Sequence, residues 1–326
     1  MKKCCFIIPY FGKLPSYFRI FTKTCEKNKN YDWLIFTDDN IDFRLPDNVI
    51  VKRMAYGELQ ELINKKMKFK CNFYEPHKLC DYKPAYGYIF EDYIKDYKFW
   101  GHCDIDIILG DMDKFITDEM LNTYDKIFCL GHMILYKNNY ENNRTFMKSL
   151  NGELLYKKVF TSPQTLIFDE TFGGKANINS IFEEYGKKIF YDDLSFNIKI
   201  FPTHFIRTRF NYKNYNYDNE KYLDALYVWN DGKLIRYFVK YNKLQTEEFL
   251  YMHFQQRNMK IDNKILEMNA FKIVPNSFLE LEFIPKDKND FKKIKRHIVC
   301  FHTISKQIEW KRKAIGRRVK KCLKKK

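Results

Sequence analysis

The segment from residue 99 to residue 111 is the most informative stretch of the chain, and it reads FWGHCDIDIILGD. Its apolar first half predicts a buried β-strand that ends near Asp104. Alternate side chains of an extended segment point to the same side, so Asp104 and Asp106 project together. Two carboxylates at the edge of an apolar core are costly to bury unless a cation compensates their charge. The spacing therefore predicts a site for Mn²⁺ or Mg²⁺, which take oxygen ligands.

A D-x-D pattern also occurs by chance, with one aspartate capping a turn and the other solvated. The position after a buried strand favours the metal site, because ligands of α/β proteins bind beyond the carboxyl ends of parallel strands. A phosphatase of the D-x-D-x-T type is disfavoured because residue 108 is Ile. A polymerase-like nucleotidyltransferase would need a Gly-Ser turn upstream, which the sequence lacks.

Around this segment, short apolar runs alternate with helical patterns. Buried strands are predicted at residues 4–8, 33–37, 49–51, 99–104 and 127–136. Helices are predicted at residues 15–27, 57–67 and 79–95. This alternation predicts an α/β fold with a mainly parallel sheet.

After about residue 150 the pattern is less regular. We predict helices at residues 176–186 and 243–252, and a surface loop at 208–222. Four tyrosines could stack on sugar rings, or could reflect only the chain's bias toward aromatic residues; they are Tyr212, Tyr215, Tyr217 and Tyr222.

The net charge is concentrated at the C-terminal end. The 326 residues include 58 Lys+Arg and 41 Asp+Glu, a formal charge of +17. Residues 286–326 hold 17 basic and three acidic residues, so they carry +14 and the rest of the chain only +3. Apolar residues recur at helical spacing through 291–323, which predicts a basic amphipathic helix. Such a helix can bind an anionic membrane surface, or it can pack on its own domain with a solvated face.

Several classes of protein are disfavoured. No run of 18 apolar residues exists, so no transmembrane helix is predicted. The apolar run at 4–8 is too short for a signal peptide. Nine scattered cysteines without a C-x-x-C pair argue against a zinc ribbon or a disulfide scaffold and favour a reducing cytoplasm. Outside the tail no nucleic-acid recognition module is visible, so no nucleic-acid partner is expected.

Several segments together resemble a family of GT-A-like bacterial capsular and surface-polysaccharide glycosyltransferases with a D-x-D motif. They are LCDYKPAYG at 79–87, Tyr97 to Gly101, the Asp104-Ile105-Asp106 triplet and Gly110-Asp111. The resemblance spans residues 4–111 and resumes at FDE, 168–170, with Gly173-Gly174, and at YMHFQQR, 251–257.

The resemblance implies a domain organisation. A GT-A-like catalytic domain of Rossmann type would span residues 1–285, with its nucleotide-binding part at about 1–135 and its acceptor part at about 136–285. Residues 286–326 would form a membrane-association tail.

It also implies site residues. Donor-binding residues would be Pro9, Tyr10, Phe11, Asp38, Asp39, Asp81, Lys83, Asp104 and Arg257. Metal ligands would be Asp104, Asp106 and His253. The acceptor base would be Asp169 or Glu170, with Asp192 and Asp193 as second choices.

Simpler interpretations stay open for six of these residues. His253 could be a structural histidine beside an apolar helix face, and Lys83 could be one more surface lysine. The Asp38-Asp39 pair could only end a strand, and Asp169-Glu170 could be a solvated helix start.

The activity so implied is a metal-dependent hexosyltransferase with a nucleotide-sugar donor, UDP-linked and with galactose as one option. Its acceptor would be a lipid-linked polysaccharide of a capsule or surface glycan. The enzyme would be cytoplasmic and peripheral on the inner face of the cell membrane. Two alternatives stay open: a metal-dependent sugar-phosphate nucleotidyltransferase, and a non-enzymatic membrane or nucleic-acid adaptor.

Overall fold

The computed structural model describes residues 2–199, 201, 203–255, 257 and 259–296, and seven residues between 304 and 315. The chain divides into two compact units. The first unit comprises Met1–Ile105, Met112–Asp193 and Tyr212–Tyr215. The second unit comprises Asp106–Asp111, Leu194–Asn211 and Asn216–Lys326. The chain therefore passes from the first unit to the second inside the D-x-D motif.

The strands and helices of the described residues have the following bounds. The strands are β1 (Cys4–Pro9), β2 (Tyr31–Thr37), β3 (Val49–Arg53), β4 (Phe99–Cys103), β5 (Ile107–Leu109), β6 (Lys126–Leu130), β7 (Met133–Lys137), β8 (Ile189–Phe190), β9 (Phe196–Ile198), β10 (Arg207–Asn211), β11 (Asn216–Asn219), β12 (Ala225–Asn230), β13 (Lys233–Lys240), β14 (Lys243–Phe249), β15 (Tyr251–His253), β16 (Lys260–Ile261), β17 (Ala270–Val274) and β18 (Ser277–Glu280). The α-helices are α1 (Phe18–Glu26), α2 (Tyr56–Met67), α3 (Tyr86–Ile89), α4 (Met112–Phe115), α5 (Asp118–Thr123), α6 (Leu155–Thr161), α7 (Ile178–Glu184) and α8 (Lys288–Lys293). Short 3₁₀ segments lie at Pro76–Ala85, Glu91–Tyr93, Asn142–Met147, Thr171–Gly173 and Asn263–Glu267.

The first unit contains a mixed sheet in the order β3-β2-β1-β4-β7-β6-β8. The four strands β3, β2, β1 and β4 are parallel to one another, whereas β7 is antiparallel to both β4 and β6. The prediction of a mainly parallel sheet is therefore not confirmed for the whole chain. Residues 127–136, predicted as one strand, form the hairpin β6–β7, because the short connection at Gly131-His132 can join only antiparallel neighbours.

The apolar runs of the first unit supply its core. Every residue of β2 is buried, and α2 places Leu59, Ile63 and Met67 in the same apolar cluster. The predicted helix at 79–95 is instead a 3₁₀ segment, α3 and a second 3₁₀ turn. Pro84 lies inside the first of these, and proline removes a backbone donor from a regular α-helix.

The second unit contains two largely antiparallel sheets. Their orders are β11-β10-β9-β15-β5 and β14-β13-β12-β17-β18-β16. The predicted helix at 243–252 is wrong, because this segment forms β14 and β15, and β14 pairs with β13 along its full length. The predicted loop at 208–222 contains β10 and β11. Pairing with neighbouring strands determines the secondary structure of both segments. Local propensity does not reveal such pairing.

The basic tail begins as part of the second unit. Helix α8 starts at Asp287, whose side chain accepts the backbone N–H groups of Asn289 and Asp290. Its Phe291, together with Ile294, is buried in a cluster with Leu226, Val228, Tyr237 and Leu281. Ile294 has an extended backbone, so the helix ends there and the predicted helix at 291–323 is not continuous.

Most of the predicted tail helix lies outside the described residues. Of the residues described there, Ile304, Ile308 and Ile315 are 43%, 48% and 61% exposed. The described residues of the apolar stripe therefore comprise a buried pair, Phe291 and Ile294, and three exposed isoleucines. Within the described part of the chain, no helix combines the length and the apolar character needed to cross a membrane.

Candidate functional site

Buried Lys83 and half-buried Asp104 form an ion pair at the end of β4. The backbone N–H of Asp104 donates to the carbonyl of His132 at 3.1 Å. The Lys83 ammonium lies 2.7 Å from Asp104 Oδ1 and 2.9 Å from the carbonyl oxygen of Gly131, and 3.4 Å from Asp169 Oδ2. Burial opposes its charge, but the carboxylates of Asp104 and Asp169 outweigh burial and raise the pKa of Lys83. The interpretation of Lys83 as a surface lysine is wrong.

Asp169 is a buried carboxyl group beside this ammonium, only 3% exposed. Burial is the main cause that raises its pKa to about 7, and the charge of Lys83 acts in the opposite direction. Its neighbour Glu170 accepts the N–H of Gly131 through Oε2 at 3.1 Å. A Cβ on Gly131 would lie 2.5 Å from Asp169 Oδ2, so glycine is needed for this close approach.

Asp81 has a structural role. Its Oδ1 accepts the backbone N–H of Phe168 at 3.0 Å and its Oδ2 that of Leu166 at 2.9 Å. The ammonium of Lys78 lies 2.7 Å from Oδ2, and both members of this pair are fully buried. The structure therefore directs both oxygens of Asp81 to the protein itself and not, as predicted, to a nucleotide.

The two backbone groups that Asp81 binds flank a strained residue. Ile167 has φ = +58°, a left-handed conformation that β-branched residues rarely adopt. Backbone strain of this kind persists only where the surroundings impose it. The carboxylate of Asp81 holds the chain on both sides of Ile167, and Asp169 follows two residues later. These two hydrogen bonds from the backbone to Asp81 therefore help to fix the position of Asp169.

Asp38 and Asp39 hold the loop that follows β1. Asp38 Oδ1 accepts the N–H of Gly12 and Asp39 Oδ2 accepts the N–H of Leu14, each at 2.8 Å. These contacts stabilise the predicted nucleotide loop from within, as expected of a strand-ending turn. A direct contact of either aspartate with base or ribose stays a prediction.

Of the three predicted loop residues, Phe11 belongs to the core. It is 8% exposed, and its ring centroid lies 5.2 Å from that of Tyr56. Pro9 ends β1, and the N–H of Tyr10 donates to the carbonyl of Phe36 at 2.8 Å. Pro9 and Tyr10 are half-buried, so they stay candidates for contact with a base.

In the second unit, Asp106 and His253 face each other. Strands β5 and β15 are antiparallel, with Ile107 opposite His253, and the N–H of Phe254 donates to the carbonyl of Asp106 at 3.0 Å. This pairing brings His253 Nε2 to 3.4 Å from Asp106 Oδ1. His253 therefore lies on a strand and not, as expected, beside a helix face.

Asp106 and His253 are two of the three predicted metal ligands, and both belong to the second unit. Asp104 belongs to the first unit, so its place among the ligands stays a prediction. Asp106 and His253 are buried, 7% and 8% exposed. A carboxylate and an imidazole suit a divalent cation such as Mn²⁺, and burial of Asp106 favours compensation by such a cation. The residues present therefore fit the predicted metal.

The side chain of Arg257 makes its hydrogen bonds within the second unit. Its guanidinium donates to Asn276 Oδ1 at 3.0 Å and to the carbonyl of Phe201, and it lies 5.5 Å from the ring centroid of Phe205. Burial lowers the pKa of Arg257 to about 10. These contacts anchor Arg257 among its neighbours, so the predicted pairing with a diphosphate is not supported.

The remaining candidates are placed as follows. Asp192 is exposed and Asp193 is buried, and both stay second choices for the base. Tyr212 stacks on Tyr191 at 3.7 Å between ring centroids. The hydroxyl of Tyr215 donates to the carbonyl of Gly174 at 2.6 Å. Tyr212 and Tyr215 therefore make internal contacts of the first unit.

Two site residues were missed from the sequence. Asn197 lies in β9 and contacts His253, and Gly131 lies in the β6–β7 turn beneath Lys83. A signal existed for each. Asn197 interrupts the apolar pattern between Phe196 and Ile198, and Gly131 separates two apolar runs at the position of a hairpin turn.

Comparisons with known proteins add a family but no activity. A family described as "Family of unknown function (DUF6625)" matches residues 6–282. No curated protein matches the sequence significantly. Among solved structures, the galactosyltransferase LgtC in complex with donor and acceptor sugar analogues is 10% identical, with 60% of this chain and 75% of that chain covered and a TM-score of 0.35. Similarity this low supports no conclusion about the present chain.

The Lys78–Asp81 pair gives a prediction about stability. Lys78→Met leaves the Asp81 carboxylate buried without its cation, so we expect a loss of about 3–5 kcal/mol in the free energy of unfolding. The matched control is Lys95→Met, which removes another Lys–Asp pair three residues apart, with Asp92, but on the surface. We expect little change there. Urea denaturation measures both, and equal losses would contradict the structural role of Asp81.

The raised pKa of Asp169 gives a prediction about pH. In the unfolded chain this carboxyl ionises near its ordinary pKa of 3.8, whereas in the folded protein its pKa is about 7. Between these values the folded protein binds the extra proton, so the contribution of Asp169 to stability falls as the pH rises from about 4 to about 7. Asp169→Asn removes this dependence. From about pH 4 to about pH 7, the unfolding free energy of the wild type should fall by more than about 1 kcal/mol relative to that of the variant. Equal changes in the two proteins would contradict the assignment.

Proposed function

The chain belongs to the family of unknown function DUF6625, and we propose that it is a metal-dependent glycosyltransferase that uses a nucleotide-sugar donor. The observation that carries the proposal is the buried pair of Asp106 and His253 in the second unit, with 3.4 Å between Asp106 Oδ1 and His253 Nε2. Asp106 is the second aspartate of the D-x-D motif, and the first, Asp104, is proposed as a further ligand. The catalytic domain is proposed to span residues 1–285, with its nucleotide-binding part at about 1–135.

The proposed chemistry is the departure of a nucleoside diphosphate. A divalent cation held by Asp104, Asp106 and His253 would neutralise negative charge on the diphosphate. Lys83 contributes a second, permanent positive charge, because its pKa is raised by the carboxylates of Asp104 and Asp169. Its ammonium is held in place by three oxygen contacts before any ligand arrives. Such preorganised charge is the form in which proteins stabilise a leaving group most effectively.

Asp169 is proposed as the base that removes the proton of the acceptor hydroxyl. A carboxyl whose pKa lies near 7 is better matched to this proton transfer than an ordinary aspartate. Glu170 orients the adjacent turn through the N–H of Gly131. Within the proposed catalytic pair, Asp169 is therefore assigned the proton transfer, and Glu170 a supporting role.

The finer assignments are also proposals. We favour a UDP-linked hexose as donor, with galactose as one option, Mn²⁺ or Mg²⁺ as the cation, and a lipid-linked glycan of a capsule or surface polysaccharide as acceptor. The membrane assignment is supported by the exposed Ile304, Ile308 and Ile315. Residues 297–326 contain 11 basic residues and one acidic residue. An apolar stripe among basic residues suits the anionic cytoplasmic face of a membrane.

The metal site is tested by Asp106→Asn. Loss of one carboxylate should reduce sugar transfer at least about 100-fold and abolish the rise in melting temperature that Mn²⁺ and the donor together produce. The assay screens a panel of sugar nucleotides, first for thermal stabilisation and then for release of nucleoside diphosphate. Asp92→Asn, an exposed aspartate, serves as the control. Unchanged transfer in Asp106→Asn would refute the site, and release of pyrophosphate would identify a nucleotidyltransferase.

The membrane assignment is tested by ending the chain at Arg296. This variant keeps Phe291 and Ile294, which the core of the second unit requires, and it removes the exposed isoleucines. We expect at least about tenfold weaker sedimentation with phosphatidylglycerol vesicles, because each basic residue near the surface contributes about 1 kcal/mol. Phosphatidylcholine vesicles and the melting temperature are the controls. Equal binding of both chains to anionic vesicles would contradict the role of residues 297–326.

A further inference from the structure

We propose that Asn197 is a positioning residue that fixes the tautomer of His253 and so presents the imidazole Nε2 lone pair to a divalent cation. The inference rests on the proposed metal site and deepens it. It concerns three buried side chains of the second unit: Asn197, His253 and Asp106. They are 4%, 8% and 7% exposed.

The sheet places Asn197 beside His253. Strand β9 runs parallel to β15, and Asn197 is paired with His253 in their register. On its other edge, β15 pairs with β5, which begins directly after Asp106. The imidazole of His253 is thus bordered by one side chain from each neighbouring segment. Asn197 Oδ1 lies 3.0 Å from His253 Nδ1, and Asp106 Oδ1 lies 3.4 Å from Nε2.

The side-chain oxygen of Asn197 decides which ring nitrogen carries the hydrogen. An amide oxygen can only accept hydrogen bonds. The same oxygen also accepts from Gln255 Nε2 at 3.0 Å, which supports its assignment as the acceptor. The contact with His253 therefore requires a hydrogen on Nδ1. A neutral imidazole has one N–H group, so its Nε2 then bears a lone pair.

In the neutral imidazole that a metal ion requires, this lone pair faces Asp106 Oδ1 at 3.4 Å. The aspartate and the imidazole are both groups that bind divalent cations, so both can coordinate one cation. A hydrogen bond from the distal ring nitrogen to an oxygen is a common device for orienting a metal-binding histidine, and its loss typically costs 10–100-fold in metal affinity. Because Asn197 is buried, water cannot easily replace its oxygen.

The experiment measures binding of Mn²⁺ alone by electron paramagnetic resonance, with the full-length chain and no sugar nucleotide. Asn197→Leu removes the acceptor, and we expect about 10–100-fold weaker Mn²⁺ binding. Asn197→Asp keeps an oxygen that can only accept, so binding should equal or exceed that of the wild type. Gln255→Leu is the matched control, since it removes the other partner of Asn197 and leaves the contact with His253. Its affinity should stay within about twofold of the wild type, a much smaller change than the loss expected when the oxygen that orients the imidazole is removed.

Three results would overturn the proposal. Wild-type affinity in Asn197→Leu would mean that Asn197 merely packs beside an Asp106–His253 ion pair. A tenfold loss of Mn²⁺ affinity in Asn197→Asp would mean that the amide nitrogen, and not the oxygen, faces the imidazole. If Asn197→Leu does not fold, Asn197→Asp alone tests the role of the oxygen. Failure of the wild type to bind Mn²⁺ at millimolar concentrations would refute the proposed metal site.

The outcome is independent of the proposed activity. Mn²⁺ binding that depends on Asn197, in a protein that transfers no sugar from any tested nucleotide donor, would support the positioning role and refute the glycosyltransferase.

Discussion

The compensation of buried charge is the constraint on which the arrangement of the first unit depends. The ammonium of Lys83 is buried, so it requires the carboxylates of Asp104 and Asp169 and the carbonyl of Gly131 around it. These partners come from the end of β4, the turn between β6 and β7, and the segment before a 3₁₀ turn. One cation thus joins three separate parts of the chain at one place.

The same constraint explains the strained backbone near Asp169. Lys78 compensates the buried charge of Asp81, and Asp81 in turn binds the backbone on both sides of Ile167. The cost of the left-handed isoleucine is offset by two hydrogen bonds to a charged acceptor, which are stronger than neutral ones. A fully buried ion pair therefore sets the position of a carboxyl group that we assign to the chemistry.

At His253, the second unit uses a neutral partner instead. Its strands β5, β9 and β15 place Asp106, Asn197 and His253 side by side, and an amide oxygen orients the imidazole without adding charge. A buried amide costs less to desolvate than a second carboxylate would, so it holds the ring while leaving the local negative charge to Asp106. Among the described tail residues, Phe291 and Ile294 are buried in the core of the second unit.

The sequence by itself determined the features that depend on near neighbours in the chain. These are the strands β1 to β4, the position of the D-x-D motif at the end of one of them, and the concentration of charge after residue 285. Only the tertiary structure decided which polar residues are used internally. From the sequence, Asp81, Arg257 and Phe11 were predicted to contact a ligand, and residues 243–252 were predicted to be helical. Both predictions failed because the residues that these segments contact are not identifiable from the local sequence pattern. The role of Asn197 has the same origin: strand pairing 56 residues apart brings its oxygen to His253.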